Sequence, residues 1–338
     1  MKLAEAGELH LVERLRKRFS ESSTDRAGTA GLILGIGDDA AAIRPNRLHR
    51  PHLLLTTDMM VEGVHFDLRW TTPFQLGYKL VSANVSDIYA MGGSPEYLLL
   101  NFAGPGSLDL QQYDRFFDGV AEALRKYSIQ LIGGDMSSSD RIVLSATAVG
   151  SASRIIRRCG ARQGEFIHVT GQLGDAAAGL AIMRNLRKQI QIERGAVPNI
   201  QLPWDIIEPV IRRHLMPDAV RPDTFVKRAT AMMDISDGLL IDLGRLCKES
   251  KVGARIWVDR LPLSQGLIEA SSLLKISPID LALNGGEDYE LLFTASAAVI
   301  PGATCIGEIV RSGLKVVGPD GKQMKQRPKG YEHFAVQG

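Results

Sequence analysis

The sequence is poor in cysteine and in long apolar runs, and each shortage excludes a class of protein. Three cysteines occur, Cys159, Cys247 and Cys305, and widely spaced thiols in odd number favour neither a disulfide framework nor a zinc site. No apolar run approaches the ~20 residues that a membrane-crossing helix requires. These shortages predict a cytoplasmic protein in which the reduced thiols are structural.

An excess of charge of one sign is missing as well. The chain carries 40 basic and 38 acidic residues, a formal net charge of +2, and the basic residues are scattered. Nothing therefore favours a nucleic-acid partner. The N-terminus carries acidic residues where a signal peptide needs an apolar stretch. Leu11, Leu15 and Phe19 recur every four residues there, which predicts an amphipathic helix.

Two common nucleotide-binding signatures are also absent. The chain has no G-x-x-x-x-G-K-[ST] sequence and no G-x-G-x-x-G sequence after a predicted strand. P-loop and Rossmann sites are therefore disfavoured. Any ATP site in this chain must be built in another way.

The length and the element pattern predict two domains of mixed α and β structure. At about 150 residues per domain, 338 residues suggest two domains. A polar, basic stretch at 150–164 places the boundary near residue 151, which gives domains 1–150 and 151–338. The polar stretch 184–201 is expected to be a surface excursion. The predicted strands are 52–57, 97–102, 142–149, 165–170, 231–235, 255–258 and 289–294, and the predicted helices are 73–91, 109–127 and 237–250.

Aspartates recur at the ends of apolar runs, beside glycine or hydroxyl residues. Carboxylates and hydroxyls without accompanying His or Cys are hard oxygen ligands, which suit Mg²⁺. An aspartate before a helix is often an N-cap, and this alternative holds for Asp38 and Asp237. Asp87 differs because it falls inside a predicted helix, although a solvated surface position stays open. The clusters lie at 37–39, 56–58, 86–87, 133–135 and 234–238.

Backbone amides and arginines supply candidate phosphate contacts. The glycine pairs at 133–134 and 171–174 could present N–H groups to an anion, although glycine pairs more often only form turns. Arg154, Arg157 and Arg158 follow the predicted boundary, where an arginine could reach phosphates in an interdomain cleft. A solvated linker is the alternative for at least two of them. The acidic turn 285–290 could be a polar hairpin tip.

Eight segments occur in order along the chain: GIGDDAA at 35–41, TTDMMVEGVHF at 56–66, ANVSDIYAMGG at 83–93, LIGGD at 131–135, TGQLGDAAAGL at 170–180, MDISDGLLIDLG at 233–244, NGGEDYELLFT at 284–294 and KGYEHF at 329–334. Together they resemble the thiamine-monophosphate kinase family, from about residue 34 to the C-terminus. Single segments also resemble a wider superfamily that includes aminoimidazole ribonucleotide synthetase, selenophosphate synthetase and a hydrogenase-maturation protein.

The resemblance implies a fold and a reaction. The fold is α/β plus α+β and aminoimidazole-ribonucleotide-synthetase-like, with an N-terminal sheet domain that forms a homodimer and a C-terminal α+β domain folded over it. The reaction is direct in-line transfer of the ATP γ-phosphate to thiamine monophosphate, which gives thiamine diphosphate and ADP, in a cleft that holds several Mg²⁺ ions.

The resemblance also implies residue roles. The implied magnesium ligands are Asp39, Thr56, Thr57, Asp58, Asp87, Asp135, Asp234 and Asp237. The implied ATP contacts are Gly134, Asp135, Arg158 and Ser236, and the implied substrate contacts are His65, Glu287 and Tyr331. An aromatic ring suits the cationic heterocycle of thiamine, and a carboxylate suits its aminopyrimidine. Two positions depart from the family pattern: Met136 stands where threonine is frequent, and Thr56 where serine is frequent.

Two alternatives remain open at the level of the sequence. A sister ATP-dependent synthetase would act on a different phosphorylated heterocycle and would not share the three substrate contacts. A non-catalytic nucleotide-binding protein would keep the fold without turnover. The dense carboxylate set argues against the second alternative, because clustered negative charge is costly without a cation.

Overall fold

The computed structural model describes residues 32–34, 38–43, 52–195, 197–198 and 203–324. The amphipathic helix predicted around Leu11, Leu15 and Phe19 and the substrate contact predicted at Tyr331 lie outside these residues. None of the helices in the described ranges combines the length and the apolar character that crossing a bilayer requires.

The N-terminal half forms a six-stranded sheet with two helices. The elements are β1 (Leu32–Leu34), β2 (Ala41–Ile43), β3 (His52–Val61), α1 (Pro73–Ala90), β4 (Ser94–Gly104), α2 (Leu110–Tyr127), β5 (Gln130–Ser138) and β6 (Val143–Ala152). The strand order is β1-β2-β3-β6-β4-β5, and only the β4–β5 pair is parallel. The strands predicted at 52–57, 97–102 and 142–149 are confirmed, and each is longer than predicted.

Helix α1 is the central element of this half. Pro73 occupies the first turn of the predicted helix, and the structure adds a capping box between Thr72 and Gln75. Almost every side chain of the helix is buried, so α1 lies between the sheet, α2 and the second half of the chain. A buried helix presents all of its faces to neighbours, and its polar side chains therefore need partners.

The two faces of this sheet differ. The face toward α1 buries Leu144, Ala146 and Ala148, which confirms the predicted alternation. The opposite face leaves apolar side chains exposed. We call it the open face and define it by Thr57, Met59, Tyr97, Leu99 and Asn101.

The C-terminal half forms a second sheet. Its elements are β7 (Phe166–Val169), α3 (Asp175–Leu186), α4 (Trp204–Leu215), β8 (Ala231–Asp234), α5 (Leu239–Ser250), β9 (Gly253–Trp257), α6 (Gln265–Leu274), α7 (Pro278–Asn284), β10 (Leu291–Ala295), β11 (Thr304–Val310) and β12 (Leu314–Val317), with 3-10 turns at Ile192–Arg194 and Val258–Arg260. The strand order is β12-β9-β11-β7-β10-β8. Sheets and helices in both halves confirm the mixed fold class.

Two predictions about organisation fare differently. The division into 1–150 and 151–338 stays a prediction: β6 ends at Ala152 and β7 begins at Phe166, but one apolar core continues through both halves. The surface excursion predicted at 184–201 is wrong for part of the segment, because Ile190 and Ile192 are buried in that core. These two isoleucines are isolated among polar residues, so hydrophobic periodicity alone did not reveal that they are buried.

Candidate active site

Three aspartates from distant parts of the sequence meet where the two halves contact each other. Asp39 precedes β2, Asp87 lies in the last turn of α1, and Asp234 ends β8. One carboxylate oxygen of each lies within 4.8 Å of the others. The sequence predicted all three as oxygen ligands, and the structure brings them together. We call this set the acidic cluster.

Helix α1 and strand β3 orient two members of the cluster. The Thr56 hydroxyl on β3 donates to Oδ2 of Asp87 over 2.6 Å, and the Ser86 hydroxyl donates to Oδ2 of Asp234 over 2.8 Å. Ser86 and Asp87 are adjacent on a buried helix, so one element fixes both contacts. Asp87 is therefore not the solvated surface residue that the sequence left open.

The electrostatics of the cluster favour the uptake of a cation. Burial and then the neighbouring carboxylates raise the pKa of Asp87 and of Asp234 well above the ordinary value. Burial, Asp237 and Asp39 raise the pKa of Asp58 to about 6. Two like charges ~5 Å apart repel by about 3 kcal/mol at an effective dielectric constant of 20. A bound cation or a proton relieves this repulsion.

Arg158 is a cation of this chain that contacts the cluster. Its Nη2 donates to Oδ1 of Asp39 over 2.7 Å and its Nε to Oδ2 over 3.1 Å. Its backbone N–H lies 3.2 Å from both oxygens of Asp38, whose pKa rises to about 7 through burial and the charge of Asp39. Arg154 instead donates to the carbonyls of Val226 and Ala229, which is a structural role.

A tight turn at 236–238 adds backbone groups beside the cluster. Oδ2 of Asp242 accepts the N–H groups of all three turn residues at 3.1 Å each. Arg245 donates to Asp237 over 2.6 Å and to Asp242 over 2.9 Å. Gly238 has φ of 123°, and a Cβ there would lie 2.8 Å from the Asn284 carbonyl oxygen, so glycine is required. Burial raises the pKa of Asp242 to about 7.

Asp242 is a site residue that sequence reasoning missed. It sits in the first turn of α5, where its distance of four to six residues from the turn amides is the signal that could have found it. The predicted contacts Ser236 and Asp237 depend on this carboxylate for their backbone position.

Glu287 occupies a second acidic region, in the turn that precedes β10. Its backbone adopts φ of 67°, and Tyr289 adopts 50°, both uncommon for side-chain-bearing residues. Lys79 Nζ lies 2.6 Å from its Oε1, and His214 Nδ1 lies 3.2 Å from its Oε2. Burial alone would raise the pKa of Glu287, but Lys79 and His214 outweigh it and hold the pKa below the ordinary value.

Two predicted magnesium ligands, Thr57 and Asp135, lie away from the cluster. Thr57 is on the open face, where its hydroxyl donates to the Ala146 carbonyl, because neighbouring residues of a strand point to opposite faces. Asp135 on β5 is exposed and pairs with Asn101, which also places it on the open face. At about 4.8 Å per strand, β5 lies roughly 14 Å from β3. Their roles as magnesium ligands stay predictions.

Gly134 is adjacent to Asp135 and has a backbone reason to be glycine. Its φ is 156°, and a Cβ there would lie 1.8 Å from the Leu100 carbonyl oxygen. His65 follows β3 in a loop, where its Nδ1 accepts the Val61 N–H over 3.0 Å. The roles of Gly134 in ATP binding and of His65 in substrate binding stay predictions.

The donor set fits magnesium. Asp39, Asp87 and Asp234 offer carboxylate oxygens, and the residues packed against them offer hydroxyls and backbone groups rather than thiols or imidazoles. Hard oxygen donors are what Mg²⁺ prefers. The carboxylates also repel one another, which a divalent ion would offset.

The class of protein follows from comparison with known families. Residues 37–152 match the family described as AIR synthase related protein, N-terminal domain. The chain is 37% identical over 341 residues to a thiamine-monophosphate kinase of Aquifex aeolicus (strain VF5), which covers 99% of this chain and 100% of that protein. It is 35% identical to a thiamine-monophosphate kinase of Escherichia coli (strain K12), with 98% and 99% covered. The chain belongs to the thiamine-monophosphate kinase family.

A solved structure supports the same assignment. The chain resembles a structure described as AaThiL complexed with AMPPCP and TMP, with a TM-score of 0.82 and 35% identity over 98% of this chain and 99% of that one. The resemblance therefore covers both halves of the fold.

Proposed function

We propose that this chain is a thiamine-monophosphate kinase that transfers the γ-phosphoryl group of ATP to the phosphate of thiamine monophosphate. The observation that carries the proposal is the acidic cluster, in which carboxylate oxygens of Asp39, Asp87 and Asp234 lie within 4.8 Å beside Arg158. Near-full-length similarity to curated thiamine-monophosphate kinases supports the choice of substrates.

The acidic cluster would hold Mg²⁺, with Asp58, Asp237 and the Thr56 hydroxyl as neighbouring oxygen groups. Bound Mg²⁺ would offset the negative charge of two phosphorylated substrates, which otherwise repel each other. Several ions are proposed because the predicted ligand set is larger than one ion requires. Thr57 and Asp135 remain proposed ligands, although they lie on the open face.

The chain's own residues would bind and orient the two substrates. Arg158 is proposed to contact the ATP phosphates, together with Gly134, Asp135 and Ser236. His65 and Glu287 are proposed to contact thiamine monophosphate, with Tyr331 as the aromatic partner. Glu287 is ionised and partly exposed, so it can accept hydrogen bonds from the aminopyrimidine.

The proposed reaction needs no dedicated base. A phosphate monoester is already largely ionised at neutral pH, so its oxygen can attack the γ-phosphorus directly. In-line transfer between positioned phosphates relies on alignment and charge stabilisation, without a covalent phosphoenzyme.

We further propose a homodimer in the cytoplasm. The open face exposes Met59 by 57%, Tyr97 by 40% and Leu99 by 38%, a row of apolar side chains that a second copy could cover. The cytoplasm supplies ATP and suits the free thiols. Sedimentation of wild-type protein and of a Met59→Asp variant tests the dimer, and cell fractionation tests the location.

The activity is tested by incubating the protein with ATP and thiamine monophosphate, with and without Mg²⁺. Chromatography should show one thiamine diphosphate for each ADP, only when Mg²⁺ is present. ATP bound without turnover on this acceptor would contradict the proposal, and phosphorylated heterocycles would then test a sister synthetase. A phosphorylated protein that forms with ATP and decays with thiamine monophosphate would contradict direct transfer.

A further inference from the structure

The turn at 287–290 sends its acidic side chains to three different elements. Asp288 accepts the N–H groups of Gly174 and Ala176 at the start of α3, over 2.7 and 3.2 Å. Glu290 accepts the Thr170 hydroxyl over 2.5 Å and pairs with an arginine of α4. These contacts fix the backbone directly after each of the two residues with positive φ, Glu287 and Tyr289. Glu287 is therefore held on a rigid backbone.

The partner of Glu287 comes from the other half of the fold. Lys79 lies on α1 and reaches across to Oε1 of Glu287 over 2.6 Å. The lysine side chain is only 4% exposed, whereas the glutamate side chain is 28% exposed. Solvent therefore reaches the carboxylate of Glu287 but hardly reaches Lys79, which is buried behind it.

His214 is the second buried side chain that packs against Glu287. It is 5% exposed, and its Nδ1 lies 3.2 Å from Oε2, off the direction of a well-formed hydrogen bond. Burial and then Lys79 lower the pKa of His214, so the ring is neutral. The described charges around Glu287 therefore make Lys79 its main counter-charge.

We propose that Lys79 is a positioning residue that sets substrate specificity through Glu287. Its ammonium group holds the carboxylate in one orientation and keeps it an acceptor of hydrogen bonds, with no proton to donate. The inference rests on the proposed function, because it takes Glu287 to contact the substrate's pyrimidine.

This arrangement would select the substrate by one ring substituent, an amine or a carbonyl. A carboxylate fixed from behind accepts a hydrogen bond from a ring amine and repels a ring carbonyl. A site built to accept from a substrate N–H discriminates strongly against an analogue that lacks the donor. We therefore expect the enzyme to prefer the 4-aminopyrimidine of thiamine monophosphate over the analogue with a 4-oxo group.

The test compares both acceptors in Lys79→Met, Lys79→Arg, Glu287→Gln and Lys126→Met proteins. Lys126 is the matched control, since it is an exposed lysine of α2 paired with Asp218. For Lys79→Met we expect an approximately 10-fold higher KM for thiamine monophosphate, an unchanged KM for ATP, and a preference for amine over oxo reduced approximately 10-fold. Lys79→Arg should keep most of the preference, and Lys126→Met should keep all of it.

The double variant Lys79→Met/Glu287→Gln separates positioning from folding. It leaves no unpaired buried charge, and its KM should match that of Glu287→Gln alone within about 2-fold, because Lys79 acts only through Glu287. If Lys79→Met does not fold, the KM of the double variant compared with that of Glu287→Gln tests whether Lys79 acts only through Glu287. An unchanged preference in Lys79→Met, or a further 5-fold loss in the double variant, would overturn the inference. A wild-type protein that makes no thiamine diphosphate would instead overturn the proposed function, and the inference with it.

Discussion

The acidic cluster and the Glu287 region are both buried, both acidic and both assembled from the two halves of the fold, yet their charges are balanced in opposite ways. In the cluster, carboxylates face one another and their pKa values rise. At Glu287, a lysine faces the carboxylate and the pKa falls. Arg158 pairs with Asp39, and the remaining carboxylates of the cluster favour a further cation from outside the chain, whereas Glu287 has its own counter-ion in Lys79.

This difference shows how a proposed metal site and a proposed substrate site can both be built from carboxylates. Repelling carboxylates bind metal ions well because the ion relieves a cost already present in the folded protein. A carboxylate with a buried counter-ion gains little from a metal, and it is free to accept a hydrogen bond from an organic substrate. In the proposed function, charge balance, more than residue type, would separate the metal ligands from the substrate ligands.

The largest expected effect comes from Asp87→Asn. The amide can still accept from Thr56 but cannot hold a metal ion as well, so kcat should fall by about 1,000-fold, or about 4 kcal/mol. The metal-free protein should gain about 1–2 kcal/mol of unfolding free energy at pH 8, because one repelling charge is removed. Steady-state kinetics and urea unfolding in EDTA measure the two effects. Asp118→Asn, an exposed aspartate of α2, should change neither. A fully active Asp87→Asn enzyme would refute the metal role.

Glu287→Gln should change stability in the opposite direction. The variant leaves Lys79 buried beside a neutral amide, which should cost about 3 kcal/mol of unfolding free energy. The KM for thiamine monophosphate should rise about 30-fold while the KM for ATP stays the same. Urea unfolding and kinetics with each substrate varied check this. A higher free energy of unfolding in Glu287→Gln than in the wild type would contradict the opposite charge balance of the two regions.

A pH series of the metal-free protein should distinguish the regions without any mutation. Asp58 has a pKa of about 6 when folded and 3.8 ordinarily, so between these values the folded state binds more protons than the unfolded state. The free energy of unfolding should therefore fall as pH rises from about 4 to 7, by about 1 kcal/mol per pH unit. Glu287, with its lowered pKa, adds stability that is present above pH ~4.5 and is lost only below it. Denaturation in EDTA measures the slope, and Asp58→Asn should make it less steep, because the other carboxyls with raised pKa values remain. A free energy of unfolding that rises with pH between about 4 and 7 would contradict the description of the cluster.

The smallest expected difference in kcat is between variants of two neighbouring threonines of β3, Thr56 and Thr57. Thr56→Val removes the hydrogen bond to Asp87 and should lower kcat about 10-fold. Thr57→Val removes a hydroxyl that donates to a backbone carbonyl on the open face, and loss of that contact alone should change kcat by less than about 3-fold. A larger loss would support the proposed role of Thr57 as a magnesium ligand. Valine has a similar shape, so each variant controls for the other. An equal loss in both variants would mean that the open face belongs to the site.

Local signals explain why much of the fold was predictable. The capping box at Thr72 and the alternation along β6 depend on residues that are close in the sequence. The predictions of helix α1 and strand β6 were confirmed. The aspartates at strand ends indicated magnesium chemistry because strand ends are where such side chains are displayed. The family resemblance placed Asp39, Asp87 and Asp234 among the implied magnesium ligands, and the structure brings these three together.

The remainder depended on contacts between distant residues. Lys79 and Glu287 are separated by most of the chain, and a lysine inside a helix carries no sign of burial in its local sequence. Resemblance likewise could not reveal that Thr57 and Asp135 lie on the open face, since face and register are set by strand pairing. Ile190 and Ile192 were missed because they are isolated among polar residues, and their burial comes from contacts with distant parts of the core.

The most direct test of the central claim is the change in unfolding free energy on adding MgCl₂ at pH 8, measured for wild type, Asp87→Asn and Glu287→Gln. The account predicts that Mg²⁺ stabilises the wild-type and Glu287→Gln proteins by the same amount and leaves Asp87→Asn unchanged. Equal stabilisation of all three proteins, or a loss of stabilisation in Glu287→Gln alone, would contradict the assignment of the metal to the acidic cluster.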